Sequence, residues 1–192
     1  MIAQPSAARI GITLADRASG LATFGTTSTL ARLGSLLVNG AKAAISPDLG
    51  AAVKAGTLDT YLLVLRRRLR LAVSALMIVG AVGGAVLGPD VVELVFSDAV
   101  RPEAVTAALI FGLAPALYAA MLLSQVAIAG NRSKRLTTAA LAGLMATAAT
   151  VFPLAAAFGP TGAALALGLG NLIRYGVLDQ VLLRPSGSEG TS

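Results

Sequence analysis

Residues 66–89 read RRRLRLAVSALMIVGAVGGAVLGP. Four arginines in five positions are followed by nineteen residues without a charge, Leu71 to Pro89. Wound as a helix, that run is about 28 Å long at 1.5 Å per residue, close to a bilayer core of about 30 Å. The stretch therefore predicts a transmembrane helix with a basic collar on its water side. Under the positive-inside rule the collar is cytoplasmic. Gly80, Gly84 and Gly88 recur every four residues and present a face on which a neighbouring helix can pack closely. Thr57 before this helix is a candidate N-cap, with Asp59 in the first turn, so the helix is placed at 58–88.

Composition agrees with this reading. Of the 192 residues, 56% are hydrophobic and 12% charged, against roughly 25% charged in a soluble domain. Mean hydropathy is +0.80. The fold class is all-α, a polytopic membrane helix bundle. The chain has no Cys and no His, so it lacks thiol chemistry and the commonest general base and metal ligand. It nominates no catalytic residue, no metal ligand and no cofactor, and it is not read as an enzyme. The net charge of +6 comes from short basic clusters between apolar runs, without interleaved aromatics. That pattern points to the lipid bilayer as partner rather than to nucleic acid.

The remaining spans follow on either side. Residues 1–18 read as a loop or surface segment, and a helix at 19–46 ends at Ser46-Pro47, because the residue before a proline disfavours helix. Residues 89–103 form an acidic connection with Asp90, Glu93 and Glu103. Helices at 103–129, 136–157 and 162–183 are separated by the basic turn 131–135 and the uncharged turn 158–162. Residues 185–192 are a polar, disordered tail. The total is about five transmembrane helices. Lys54, the arginines at 66–70, the turn at 132–135 and Arg184 share one side, which puts the C-terminus in the cytoplasm and the N-terminus outside. An outside N-terminus without a signal peptide points to earlier spans.

Two groups of polar residues lie within the apolar segments. In the first helix Ser28, Arg32, Ser35, Asn39, Lys42 and Ser46 recur at steps of four and three, and so share one face. An ionised side chain facing lipid at mid-depth costs about 2.5–3.5 kcal/mol. Either Arg32, Ser35, Asn39 and Lys42 line a water-filled cavity, or the helix lies flat on the membrane surface. In the last helix Asn171 and Arg174 stand one turn apart, with Tyr175 adjacent. Arg174 lies about 15 Å deeper than Arg184, where an arginine calls for a functional reason. It could instead snorkel to the surface. Tyr118 and Gln125, on the helix at 103–129, are secondary candidates for the same cavity.

Five short motifs occur in order: Ala44-Ile45-Ser46-Pro47, Arg66-Arg67-Arg68-Leu69-Arg70, Pro89-Asp90-Val91-Val92-Glu93-Leu94-Val95-Phe96, Ala129-Gly130-Asn131-Arg132-Ser133-Lys134-Arg135 and Phe158-Gly159-Pro160-Thr161-Gly162-Ala163-Ala164. Their order and spacing over residues 16–184 resemble the C-terminal part of polysaccharide and lipid-linked oligosaccharide flippases of the multidrug/oligosaccharidyl-lipid/polysaccharide exporter superfamily. The resemblance implies a multi-pass protein of a bacterial-type plasma membrane, with two bundles around a central cavity. This chain would hold the last five spans, and its partner would be a missing N-terminal bundle or a second copy. The implied activity is alternating-access movement of an anionic lipid-linked glycan. Arg32, Lys42 and Arg174 would meet its phosphates, and Asn39 and Asn171 its sugars or water. Two alternatives stay open: a non-transporting membrane subunit or anchor of a glycan-assembly complex, and a multidrug or cation antiporter of the same superfamily. The antiporter would need a membrane carboxylate, and Asp179 is the candidate.

Overall fold

The computed structural model describes residues 4–96 and 101–181. The described elements are all helices: α1 (Gln4–Lys54), α2 (Leu58–Val86), α3 (Gly88–Phe96), α4 (Ala104–Ala129) and α5 (Ser133–Val181). Three are long and apolar enough to cross a membrane: α2, α4 and the Lys134–Gln180 part of α5. The chain is thus a membrane-embedded, all-α helical protein.

α5 is folded back on itself. Gly159 has φ 56° and ψ −134° inside it, in the left-handed half of backbone space that only glycine enters without strain. The two arms, 133–158 and 160–181, run antiparallel. Gly143 on the first arm sits against Gly170 and Arg174 on the second, and Gly162 sits against Leu154. Each arm is long enough for a bilayer core. The reversal falls at Gly159 alone, inside the segment 158–162 expected as a turn, and Phe158 and residues 160–162 are helical.

α1 departs from expectation at both ends. Residues 4–18 are part of α1 rather than a separate segment, and the helix runs through Pro47 to Lys54. Proline at 47 cannot donate to the Ala43 carbonyl, which normally breaks a helix. Here Ala43 and Pro47 are exposed, and the turns beyond the proline are anchored. Leu49 is buried against Leu62 of α2 and Val126 of α4. The link expected at 51–56 shrinks to a turn in which Gly56 takes φ 68°. At 51 residues, α1 is about 76 Å long, more than twice a bilayer core. It is not among the helices apolar enough to cross, because Arg32, Asn39 and Lys42 dilute its apolar run.

Two smaller differences concern α2 and α3. Thr57 precedes α2 without a side-chain cap bond; its hydroxyl instead donates to the Ala52 carbonyl at 3.5 Å. The acidic connection contains the short helix α3, with Pro89 tolerated in its first turn and Val92 buried.

α4 is the centre of the bundle. Ala107, Ala116, Ala119, Ala120 and Ala127 are buried along it, and small side chains let three neighbours approach at once. α2 packs on it through Gly80 and Gly84, and the third glycine of the ladder, Gly88, opens α3 against the same helix. A Cβ on Gly80 or Gly84 would meet the Phe111 or Ala107 carbonyl, and one on Gly88 the Ala107 methyl. α1 contributes Thr27, Ala31, Val38, Leu49 and Ala52 as its buried face, with Gly34 half-buried among them.

The antiparallel arrangement sorts charge to opposite ends. At one end Arg132 donates to Asp59 at 2.8 Å, and Arg66 and Arg70 meet Asp179. At the other end Thr106 and Thr161 are hydrogen-bonded at 2.6 Å, and Arg101 bridges Asp90 and Glu93 at 2.8 and 3.0 Å. The basic turn, the arginine collar and the end of α5 thus share one rim. The acidic connection and the Gly159 turn share the other. The final residues, 182–192, including the expected tail and Arg184, lie outside the described residues.

Candidate functional site

The residues of interest occupy three places. The first surrounds Arg174, on the second arm of α5. Its Nη2 donates to the Ser124 hydroxyl oxygen of α4 at 3.4 Å. Ser124 donates its own proton to the Ala120 carbonyl at 2.6 Å, which leaves the hydroxyl oxygen free to accept from the cation. The Arg174 Nε and the neighbouring Tyr175 hydroxyl are buried and have no hydrogen-bond partner. No carboxylate pairs with Arg174 among the described residues. Gly143 on the facing arm gives the arginine its room, since a Cβ there would stand 2.9 Å from the Arg174 Cβ.

One turn away, Asn171 lines a cavity of about 200 Å³ between α1, α4 and α5. Tyr118, Leu113, Leu117, Gly168 and Ala31 are among its other walls. The cavity is mainly apolar, with Asn171 and Tyr118 as its polar side chains. Tyr118 also joins two helices. Its hydroxyl donates to the Ala31 carbonyl of α1, and Gly34 leaves space for the ring. Tyr118 is therefore a strut between α4 and α1 as well as a cavity wall. Gln125 is half-buried and makes no side-chain hydrogen bond among the described residues.

The third place is the polar stripe of α1. It is turned roughly 100° from the buried face, one position along the helix. Asn39 is exposed, and Ser35 and Lys42 are half-buried; the Arg32 side chain lies outside the described residues. Ser35, Asn39 and Lys42 do not line the Asn171 cavity, to which α1 contributes Ala31. The stripe and the Arg174 group are thus separate surfaces within this bundle. With Asn39 exposed and Ser35 and Lys42 half-buried, this side of α1 is only partly covered by the bundle's own helices among the described residues.

Asp179 has a different fate from the one its position in the sequence implies. Arg66 Nε donates to its Oδ1 at 2.6 Å and Arg66 Nη2 to its Oδ2 at 2.9 Å. Arg70 Nε adds a bond to Oδ2 at 2.9 Å, and Arg70 Nη2 meets the same oxygen. The carboxylate is 8% exposed and is held by two guanidinium forks. The arginine run is thereby divided: Arg66 and Arg70, one turn apart, face α5, and Arg67 and Arg68 point outward. The sequence shows this division only as an i, i+4 spacing, since the partner lies more than a hundred residues away.

No family model matches the chain, and neither curated proteins nor solved structures yield a match.

Proposed function

We propose that this chain is a bundle of a flippase-type transporter for an anionic lipid-linked glycan, in a bacterial-type plasma membrane with its basic rim and C-terminus cytoplasmic. The observation that carries the reading is the state of Arg174. It is a cation within an apolar helical arm, it has one hydroxyl contact, and a buried N–H of its fork has no partner. Asp179, about one and a half turns along the same arm, is engaged by Arg66 and Arg70. A guanidinium kept free of carboxylates suits a phosphate or diphosphate, which it can meet with two parallel N–H donors. Asn171, one turn away, would serve sugar hydroxyls or water. The polar stripe of α1 would face the opposing bundle, supplied by more chain or by a second copy, and Arg32 and Lys42 would extend the cationic surface there.

The antiporter alternative loses support from Asp179. A coupling carboxylate must take up and release its ion, and two guanidinium forks oppose that. The non-transporting subunit remains the outcome opposed to transport.

The test uses unilamellar vesicles carrying the protein and a fluorescent polyprenyl diphosphate, with dithionite bleaching of the outer leaflet. Transport makes the inner-leaflet probe accessible. Arg174→Gln is expected to slow this by roughly ten- to a hundredfold, the worth of about 1.5–3 kcal/mol for a hydrogen bond to a charged group. Arg174→Lys is expected to recover it partly. A rate unchanged by Arg174→Gln would reject the assignment.

A further inference from the structure

Arg67 and Arg68 are the half of the arginine run that Asp179 does not engage. Both are exposed, and neither meets a carboxylate among the described residues. They lie on the outward side of α2, on the same face as Leu63, Val64, Leu71, Ile78 and Val82, all exposed. Leu63, Val64, Arg67, Arg68 and Leu71 line a shallow cleft of about 510 Å³. Its arginines stand at the start of the nineteen-residue uncharged run. From Arg67 to Ile78 is about 16 Å along the helix, the depth of one leaflet. A cationic pair at the interface thus heads an apolar column of one lipid's length.

We propose that this face of α2 is a binding site for an anionic phospholipid. The phosphate would lie between Arg67 and Arg68, and one acyl chain would run along Leu71 and Ile78. Two observations select a lipid over other occupants. The charge is complementary to an anionic headgroup, and the apolar column continues it in the direction a chain takes into the bilayer. The pair is also unengaged for a structural reason. Arg66 and Arg70 are drawn inward to Asp179 and Leu69 between them packs on the core, so helix geometry leaves Arg67 and Arg68 on the outside. The inference is independent of Arg174 and of transport.

The experiment measures lipid retention by native mass spectrometry of the intact protein in nonionic detergent, titrated with phosphatidylglycerol or phosphatidylcholine of the same chains. Phosphatidylglycerol is expected to be retained preferentially. Each near-surface basic residue is worth about 1 kcal/mol toward anionic lipid, about fivefold. Arg67→Gln with Arg68→Gln should therefore weaken phosphatidylglycerol retention by about 25-fold and leave phosphatidylcholine unchanged. Arg67→Lys with Arg68→Lys should keep most of it, and Arg101→Gln on the opposite rim should have no effect. Equal retention of the two lipids, or undiminished phosphatidylglycerol in the double glutamine variant, would overturn the proposal. So would displacement of the lipid by an equal concentration of glycerol phosphate, which would show a headgroup site without a role for the chain.

Discussion

Asp179→Ala is expected to lower the stability of the bundle by up to about 3 kcal/mol. Removing one partner of a buried ion pair costs about 3–5 kcal/mol, chiefly because the remaining charge is left without compensation. The low end is an upper bound here, since the Arg66 and Arg70 side chains are 22% and 52% exposed and water screens what the carboxylate leaves behind. For a chain of this size such a loss corresponds to a fall in Tm of roughly 6–12 °C, readable by a thermal shift in detergent. A second variant separates the ion cluster's charge from its packing. Asp179→Leu combined with Arg66→Met and Arg70→Met removes all three charges together. Replacing a buried carboxylate together with its partner cations by apolar groups of similar size is often neutral or stabilising. The triple variant should recover most of the lost Tm. If Asp179→Ala melts with the parent protein, the triad does not hold α2 to α5.

Gly80→Ala and Gly84→Ala are expected to weaken the bundle from a different cause. An alanine Cβ at 80 would stand 2.5 Å from the Phe111 carbonyl oxygen, and one at 84 would stand 2.8 Å from the Ala107 carbonyl oxygen. Even close C–H···O contacts keep carbon and oxygen about 3.3–3.6 Å apart. The obstructing atoms belong to the α4 backbone and cannot rotate away, so the helices must separate. Overpacking of this kind costs about 1–3 kcal/mol, and the backbone contact places each substitution near the top of that range. Gly83 is the internal control, with nothing within 4 Å of a Cβ placed there. Gly83→Ala should leave packing intact and strengthen the helix by about 0.5–1 kcal/mol through backbone entropy. Opposite signs at 83 and 84, adjacent glycines in one helix, would be hard to obtain from any cause other than the α2–α4 approach. Equal effects at both would refute it.

The glycine ladder was legible because its cause is local. Three glycines four apart must share a helix face, and small residues on one face mean a close neighbour. The sequence could not say that α4 is that neighbour. The helices at 58–88 and 103–129 were legible for the same reason, since an uncharged run of bilayer length has few other uses. The turn at Gly159 likewise follows from Phe158-Gly159-Pro160, which places a glycine able to reverse the chain directly before a proline.

Pro47 shows where local rules stop. Its effect on its own turn is unfavourable, and by those rules the helix ends there. The burial of Leu49 against Leu62 and Val126 holds the following turns in place, and those contacts come from segments far along the chain. The polar stripe of α1 shows the same limit. Periodicity places Ser35, Asn39 and Lys42 on one face, but only packing determines which way the face turns. Tyr118 docking on Gly34 and the Ala31 carbonyl orients α1 so that the stripe lies away from Asn171 and Arg174.

By itself the sequence determined that this is an all-α membrane protein, where its main spans lie, and that its charges are divided between two rims. Those properties depend on hydropathy and on spacing within single helices. Tertiary structure alone decided which of the four arginines at 66–70 are neutralised, that Asp179 is held rather than available, and that Arg174 is left with a single hydroxyl contact. Electrostatic pairing depends on distances of a few ångströms between groups a hundred residues apart, and helical periodicity carries no information about those distances.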